Sequence, residues 1–279
     1  MCRWMAWHGQ PVLVHELLFD SPHGIVDQSL HSRMGVETTN GDGFGLGWYG
    51  AGEGPAVYHS VTPAWSDVNL REIAAHIEAP VFLAHIRAAI GSPVQQTNCH
   101  PFRHGNWLFC HNGYVDDMHH LRRDLMLALD SDHFAAVQGS TDTEVVFHLA
   151  LTNGLEDDPL GAMARTIGQI EETARRQGRE PLVQGTFGIS DGDSVWAVRY
   201  ATTGVARSLF TSCDGAAVRK LYPDNERFAR LTDDDRLIVS EPFSDLPGVW
   251  HEVAQSSAVR VAAGGVLEHH DFEPLVAVG

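Results

Sequence analysis

Apolar residues along the chain fall into three successive textures. The first is strand-like. Residues 2–8 read as a short strand at the extreme N-terminus, and 44–49 and 56–61 alternate with glycine breaks as strands do. Residues 81–86 and 107–110 are continuous apolar runs, which predicts buried strands. A helix over 66–77 interrupts them, with Val68, Ile73 and Ile77 at helical spacing. The second texture is helical, over 117–129, 141–151 and 159–176, the last carrying Met163, Ile167 and Ile170 on one face. After Gly178 short strands return. Residues 186–190 and 194–200 flank an Asp-Gly-Asp turn, a strong hairpin signal, and 209–212, 236–240, 249–254 and 258–261 continue the pattern. Two sheets packed face to face with helices outside satisfy this order. The expectation is an α+β fold in a single domain over 2–279, because no repeat, low-complexity tract or Pro/Ser-rich linker divides the chain.

Composition narrows the partners more than the fold. Of the 279 residues, 43% are hydrophobic and 20% charged, as in an ordinary globular protein. The 19 Lys and Arg face 36 Asp and Glu, a net charge of −17. That balance repels phosphate backbones and no basic stripe offsets it, which argues against nucleic acid and for a small-molecule substrate. The longest apolar runs are too short to cross a bilayer. No basic, apolar and small-residue leader opens the chain, so a cytoplasmic protein without membrane attachment is expected. Cys2, Cys99, Cys110 and Cys213 form no C-x-x-C pair, and a domain of this size needs no disulfide. Cys110 and Cys213 are expected as small core residues and Cys99 as a loop residue.

Five short constellations carry candidate chemistry. Cys2 follows the initiator Met. Once exposed, it would carry a thiol and an α-amine of pKa roughly 7.7–8.0, which could serve as base for its own nucleophile. Taken alone, it is equally an ordinary second residue. The run Asn40-Gly41-Asp42-Gly43-Phe44-Gly45 lets the backbone turn sharply or approach a ligand. It lacks dinucleotide or P-loop spacing, so nucleotide binding is rejected. Arg87 ends an apolar strand, where a guanidinium either caps the strand or pairs a carboxylate. His111-Asn112-Gly113 follows another apolar strand; it is either a turn or an oxyanion-binding pair of donors. Ser140-Thr141-Asp142-Thr143-Glu144 reads as a helix N-cap, from which Asp142 could still face a substrate ammonium.

Their order does more than each alone. Cys2, then N-G-D-G-F-G, A-H-I-R, H-N-G and S-T-D-T-E resembles the class II glutamine amidotransferases. Arg33, residues 62–65, residues 97–102 and Ser240-Glu241-Pro242 look closer to one stand-alone branch. That branch includes the amidotransferase-like subunit of a glutathione-degrading complex and the γ-glutamyl hydrolase of ergothioneine synthesis. The resemblance implies the N-terminal-nucleophile hydrolase fold, a four-layer αββα sandwich of two antiparallel sheets between helical layers. It implies Cys2 as nucleophile, its α-amine as general base, and Asn112 with Gly113 as oxyanion donors. Arg87 would bind the substrate α-carboxylate and Asp142 its α-ammonium, with His111 grouped among the substrate-binding residues. Removing one oxyanion donor typically costs about 10²–10³ in rate. Ile90 stands where the family often has a Thr that helps hold the glutamate moiety. The length leaves no room for a synthase domain, so hydrolysis of a γ-glutamyl amide bond through a Cys2 thioester is favoured.

Two other classes compete. The 17 histidines invite a metallohydrolase, but none has H-E-x-x-H spacing, and the side chains of the adjacent pairs His119-His120 and His269-His270 are expected to diverge. Neither a metal nor an organic cofactor is expected. The chain could instead be a binding or assembly subunit that needs a partner enzyme subunit, or a homo-oligomer; every catalytic position being filled argues against a dead enzyme.

Overall fold

The structure, a computed structural model, describes residues 2–34, 39–89, 91–226 and 228–275. Ile90 lies outside the described residues. Strand β1 (Arg3–Leu13) begins almost at once and is followed by helices α1 (Val14–Leu18) and α2 (Ile25–His31). Strands β2 (Phe44–Tyr49) and β3 (Ala56–Ser60) precede helix α3 (Val68–Ala74) and strand β4 (Glu78–Ile86). Strands β5 (Phe102–His104) and β6 (Trp107–Val115) lead into helices α4 (Met118–Leu127), α5 (Ser131–Ala136), α6 (Asp142–Thr152) and α7 (Pro159–Arg176). The hairpin of β7 (Val183–Ser190) and β8 (Val195–Ala201) follows, then β9 (Phe210–Ser212), helix α8 (Gly215–Leu221) and β10 (Arg236–Val239). Strands β11 (Trp250–Glu252), β12 (Ser257–Ala262) and β13 (Val266–Asp271) end the series.

The strands make two antiparallel sheets, β11-β9-β10-β1-β4-β2-β3 and β13-β12-β8-β7-β6-β5. Their side chains sort by the two-residue period of a strand. Trp4 and Ala6 of β1 meet Leu108, Cys110, Ala197 and Val259 in the layer between the sheets. Met5 and Trp7 point the other way, into a core with Leu18, Ile25 and Leu70. Phe109 and Phe187 face Val146, Leu149, Ile167 and Ile170 in the third core. Three apolar layers between four layers of structure explain why the central strands read as continuous hydrophobic runs. They also establish the αββα architecture. Each fully buried large apolar side chain contributes about 1.5–3 kcal/mol, and Trp4 and Met5 of β1 and Phe82, Leu83 and Ile86 of β4 are of this kind.

Several boundaries differ from expectation for local reasons. The helix expected over 66–77 starts later and ends sooner, because Asp67 caps it by accepting the Leu70 N–H at 2.8 Å. Its buried residues are Leu70 and Ala74, whereas Val68 is 71% exposed. The run 107–110 extends to Val115 because residues 111–115 keep pairing with β7. Asn112-Gly113 is therefore strand, and its turn reading fails. Cys213 is not a core residue: it follows the short strand β9 and is partly exposed. Cys99 is a loop residue but wholly buried. The rings of His119 and His120 do not diverge; their centroids are 3.8 Å apart. No helix among the described residues is long and apolar enough to cross a membrane.

Candidate active site

Cys2 sits at the mouth of β1, beside the chain that leaves β4. Its Sγ lies 3.4 Å from the Ala88 N, which donates to it, and 3.5 Å from the Ala88 carbonyl oxygen. Burial pushes the thiol up; the Ala88 N–H and the Arg87 charge pull it down, and Asp142 pushes it up again. The net direction is upward, so the resting thiol keeps its proton and needs a base to become a nucleophile. Both Arg87 and Asp142 are thus within electrostatic reach of the sulfur.

The position of Cys2 is fixed from behind. Trp4 exchanges contacts with Ser240, N to Oγ at 3.1 Å and O to N at 3.0 Å. Arg3 holds the Cys2 carbonyl with Nη1 at 2.9 Å and donates from Nε to Glu241 at 2.8 Å. The same carboxylate receives His23 Nε2 at 2.6 Å, Ser32 Oγ at 3.3 Å and the Arg33 and Met34 amides at 2.8 and 3.1 Å. Burial works to raise the Glu241 carboxyl, but the Arg33 amide, His23 and Arg3 outweigh it and hold it below its ordinary value.

Arg87 is 2% exposed. Its backbone is clamped by the glycine-rich run: Arg87 N donates to Gly43 O at 2.8 Å, and Asp42 N to Arg87 O at 3.0 Å. Gly43 turns at φ +110°, and a Cβ there would lie 2.7 Å from Ser60 O and 2.9 Å from Cys99 Sγ. That requirement explains the glycine. The Asp42 carboxylate does not touch the guanidinium; it accepts the Ala89 N–H at 2.8 Å. Among the described residues the guanidinium donates to neutral oxygens, Ser92 Oγ at 2.7 Å, Pro93 O at 3.1 Å, the Asp42 carbonyl at 3.4 Å and the Ser92 carbonyl at 3.5 Å.

Asp142 is the first residue of α6, capped by the preceding Thr141 rather than by itself. One of its oxygens accepts the Val115 N–H at 2.9 Å and the other the Thr143 N–H at 2.7 Å. Asn112 lies opposite Thr186, whose Oγ1 accepts the Trp4 indole N–H at 3.0 Å. Alternation along β6 puts Asn112 on the same inward face as Cys110, at the end where β1 begins. Gly113 has no room for a side chain, since a Cβ would sit 2.0 Å from Gln184 O. His111 points to the helix side. It is 1% exposed, stacks on Phe187 at 4.4 Å and meets Thr143 Oγ1 through Nδ1 at 3.0 Å.

The fold therefore gathers Cys2, Arg87 and Asp142, places Asn112 and Gly113 on the neighbouring strand, and sets His111 beneath Thr143. Four contributors were not anticipated. Ser92 and Asp42 hold Arg87 in place, Glu241 anchors Arg3, and the His100 ring lies tilted against His85, centroids 4.1 Å apart, while its Nδ1 accepts the His111 amide at 3.4 Å. Asp42 lies in the glycine-rich run, His100 within residues 97–102 and Glu241 in the Ser240-Glu241-Pro242 motif, but none of these motifs signalled what the side chain would hold. Trp65 packs against Gly41, and Phe102 is core.

The description "glutamine amidotransferases class-II" matches residues 23–235. The chain belongs to the class II glutamine amidotransferases. Among this family's members it is 31% identical to the probable glutamine amidotransferase DUG3 of Saccharomyces cerevisiae, over 96% of this chain and 84% of that one. It is 36% identical to the gamma-glutamyl-hercynylcysteine sulfoxide hydrolase of Mycobacterium tuberculosis, over 95% of both. A class II domain protein from Silicibacter pomeroyi superposes with a TM-score of 0.74 at 31% identity, covering 98% of this amidotransferase and all of that chain. The glutamine phosphoribosylpyrophosphate amidotransferase of B. subtilis shares the fold at a TM-score of 0.63 and 15% identity, and half of its length is covered.

Proposed function

We propose that this class II amidotransferase is a stand-alone amidohydrolase, one domain over 2–279, that cleaves the γ-glutamyl amide bond of glutamine or a γ-glutamyl compound. The observation that carries the reading is the pairing of a buried cation, Arg87, and a carboxylate, Asp142, around one half-buried thiol. An α-amino acid head group presents the complementary pair of charges. With Arg87 on its carboxylate and Asp142 on its ammonium, the side-chain carbonyl is directed at Cys2.

In the proposed reaction Met1 is removed and the freed α-amine of Cys2 takes the thiol proton. Sγ attacks the γ-carbonyl carbon, and Asn112 with Gly113 stabilises the oxyanion. Collapse expels the amine, which leaves with the proton held by the α-amine, and a γ-glutamyl thioester remains on Cys2. Water then attacks, giving up its proton to the same amine, and glutamate departs with the thiol restored. His111 acts by seating Thr143 and hence Asp142. No metal or organic cofactor enters. The four free cysteines favour a reducing cytoplasm.

The deciding experiment is intact mass before and after 6-diazo-5-oxo-L-norleucine, with the adduct mapped. A mass lacking Met1 and one adduct on Cys2 are expected, together with release of glutamate from γ-glutamyl amides. Retained Met1, or a folded protein whose Cys2 stays unlabelled, would sink the hydrolase reading. The partner-dependent binding subunit would then replace it.

A further inference from the structure

Away from Cys2, three imidazoles converge from three separate elements: His104 at the end of β5, His133 on α5 and His148 on α6. Their ring centroids are 5.2 Å apart for His104 and His133, 5.7 Å for His104 and His148, and 6.2 Å for His133 and His148. His148 is 4% exposed, and its Nδ1 is buried with no hydrogen-bond partner. An orphaned buried nitrogen is unusual, because buried polar atoms nearly always find a partner. His133 is oriented from behind: its Nδ1 meets Thr152 Oγ1 at 2.9 Å. That hydroxyl oxygen also accepts the Asp130 N–H, and with Nδ1–H donating to it, His133 Nε2 keeps its lone pair. Histidine ligands are held in this way by a partner on the far nitrogen. Glu156 is close enough to His104 to act on its charge.

We propose that His104, His133 and His148 form a binding site for one divalent transition-metal ion, zinc foremost, with Glu156 or water as the fourth ligand. Three imidazoles and a carboxylate suit zinc and its borderline-soft neighbours, whereas magnesium and calcium take oxygen. Zinc–nitrogen bonds of about 2.0–2.1 Å in a tetrahedron put the centroids of three imidazole ligands about 5 Å apart. The observed spacings are within about 1 Å of that, so small rotations of the half-buried His104 and His133 side chains close the site. Burial pushes the His148 imidazolium down to about 4, so protons do not compete for that ring near neutrality. The ion would tie β5 and α5 to α6, the helix whose first residue is Asp142. This assignment stands independently of the hydrolase reading.

A rival lies on the surface. Asp117, His119 and His120 have ligand atoms within 4.8 Å of one another, but Asp117 is already ion-paired to Arg179. The test uses the full chain, stripped with a chelator, and titrates zinc by calorimetry and cobalt by its visible absorption. One equivalent with the intense absorption of a tetrahedral site is expected. It is lost in the His104→Gln/His133→Gln double variant and kept in His119→Gln/His120→Gln. Both variants spare the buried His148, and circular dichroism checks their fold. Thr152→Val should weaken zinc about 10- to 100-fold. The proposal is overturned if the parent binds no zinc, if the first double variant binds it unchanged, or if the second abolishes binding.

Discussion

Two arginines lie within a few residues' width of the same thiol, both 2% exposed, and they are treated in opposite ways. Arg3 meets the Glu241 carboxylate, which itself collects five donors. Arg87 donates to three carbonyls and a serine hydroxyl, and among the described residues no carboxylate forms an ion pair with it. Burying a charge without a counterion is costly. On the proposed reading, Arg3 is held as a structural cation and Arg87 is kept for the carboxylate of the substrate. The negative overall charge sharpens the contrast, since carboxylates are abundant in the chain and are nonetheless kept off the Arg87 guanidinium.

The largest expected effect breaks the compensated side. Glu241→Gln removes the countercharge from Arg3 and weakens every bond to that side chain. Losing one partner of a buried pair costs about 3–5 kcal/mol. Urea unfolding should show a loss of that order; a loss no larger than that of an exposed carboxylate variant would show that Arg3 is not held by charge.

Arg87→Gln addresses the other side and should separate catalysis from stability. Truncating one half of a buried charge contact costs binding about 2–5 kcal/mol, so kcat/KM for a γ-glutamyl amide should fall about 30-fold or more. Unfolding free energy should hold or rise, because an uncompensated cation has been removed. A stability loss matching that of Glu241→Gln would place both arginines in the same structural class.

Acid sharpens the difference further. The Glu241 carboxyl is held below its ordinary value of 4.5, so its stabilisation is complete above that pH and is lost as pH falls through the lowered native value. Unfolding free energy measured above and below pH 4.5 should decline more steeply in the parent than in Glu241→Gln. Parallel declines would dissociate the buried pair from acid sensitivity.

Much of this was legible from residue order. The long helix α7 and the hairpin of β7 and β8 are local patterns, and a two-residue alternation or a helical face reports them directly. The short helices α1, α2, α5 and α8 have at most seven residues each, too few for a period to emerge. The continuation of β6 through Asn112-Gly113 depends on pairing with Thr186 and Gly185, some seventy positions away, against a local preference for a turn. Cys2, Arg87 and Asp142 could be named as candidates because each sits in a short motif. Their electrostatic distinction could not. Arg3 and Glu241 are 238 positions apart, and the oxygens around Arg87 come from a loop whose path no periodicity describes.

The smallest effect is also the most direct report on the free cation. His85 is buried between the sheets, and its imidazolium is pushed down to about 3, first by burial and next by the Arg87 charge. Removing that charge in Arg87→Gln, or neutralising it with a bound carboxylate, should raise the His85 value. Burial still keeps it below the ordinary 6.5. Glu241→Gln should move it less, since Arg87 is the foremost charge acting on His85. Proton NMR of the His85 ring can follow all three, beginning from neutral pH and stopping before acid unfolding. Earlier titration in Arg87→Gln alone is the expected pattern. An unmoved His85 would mean that the Arg87 charge is already neutralised by its surroundings, and the contrast between the two arginines would collapse.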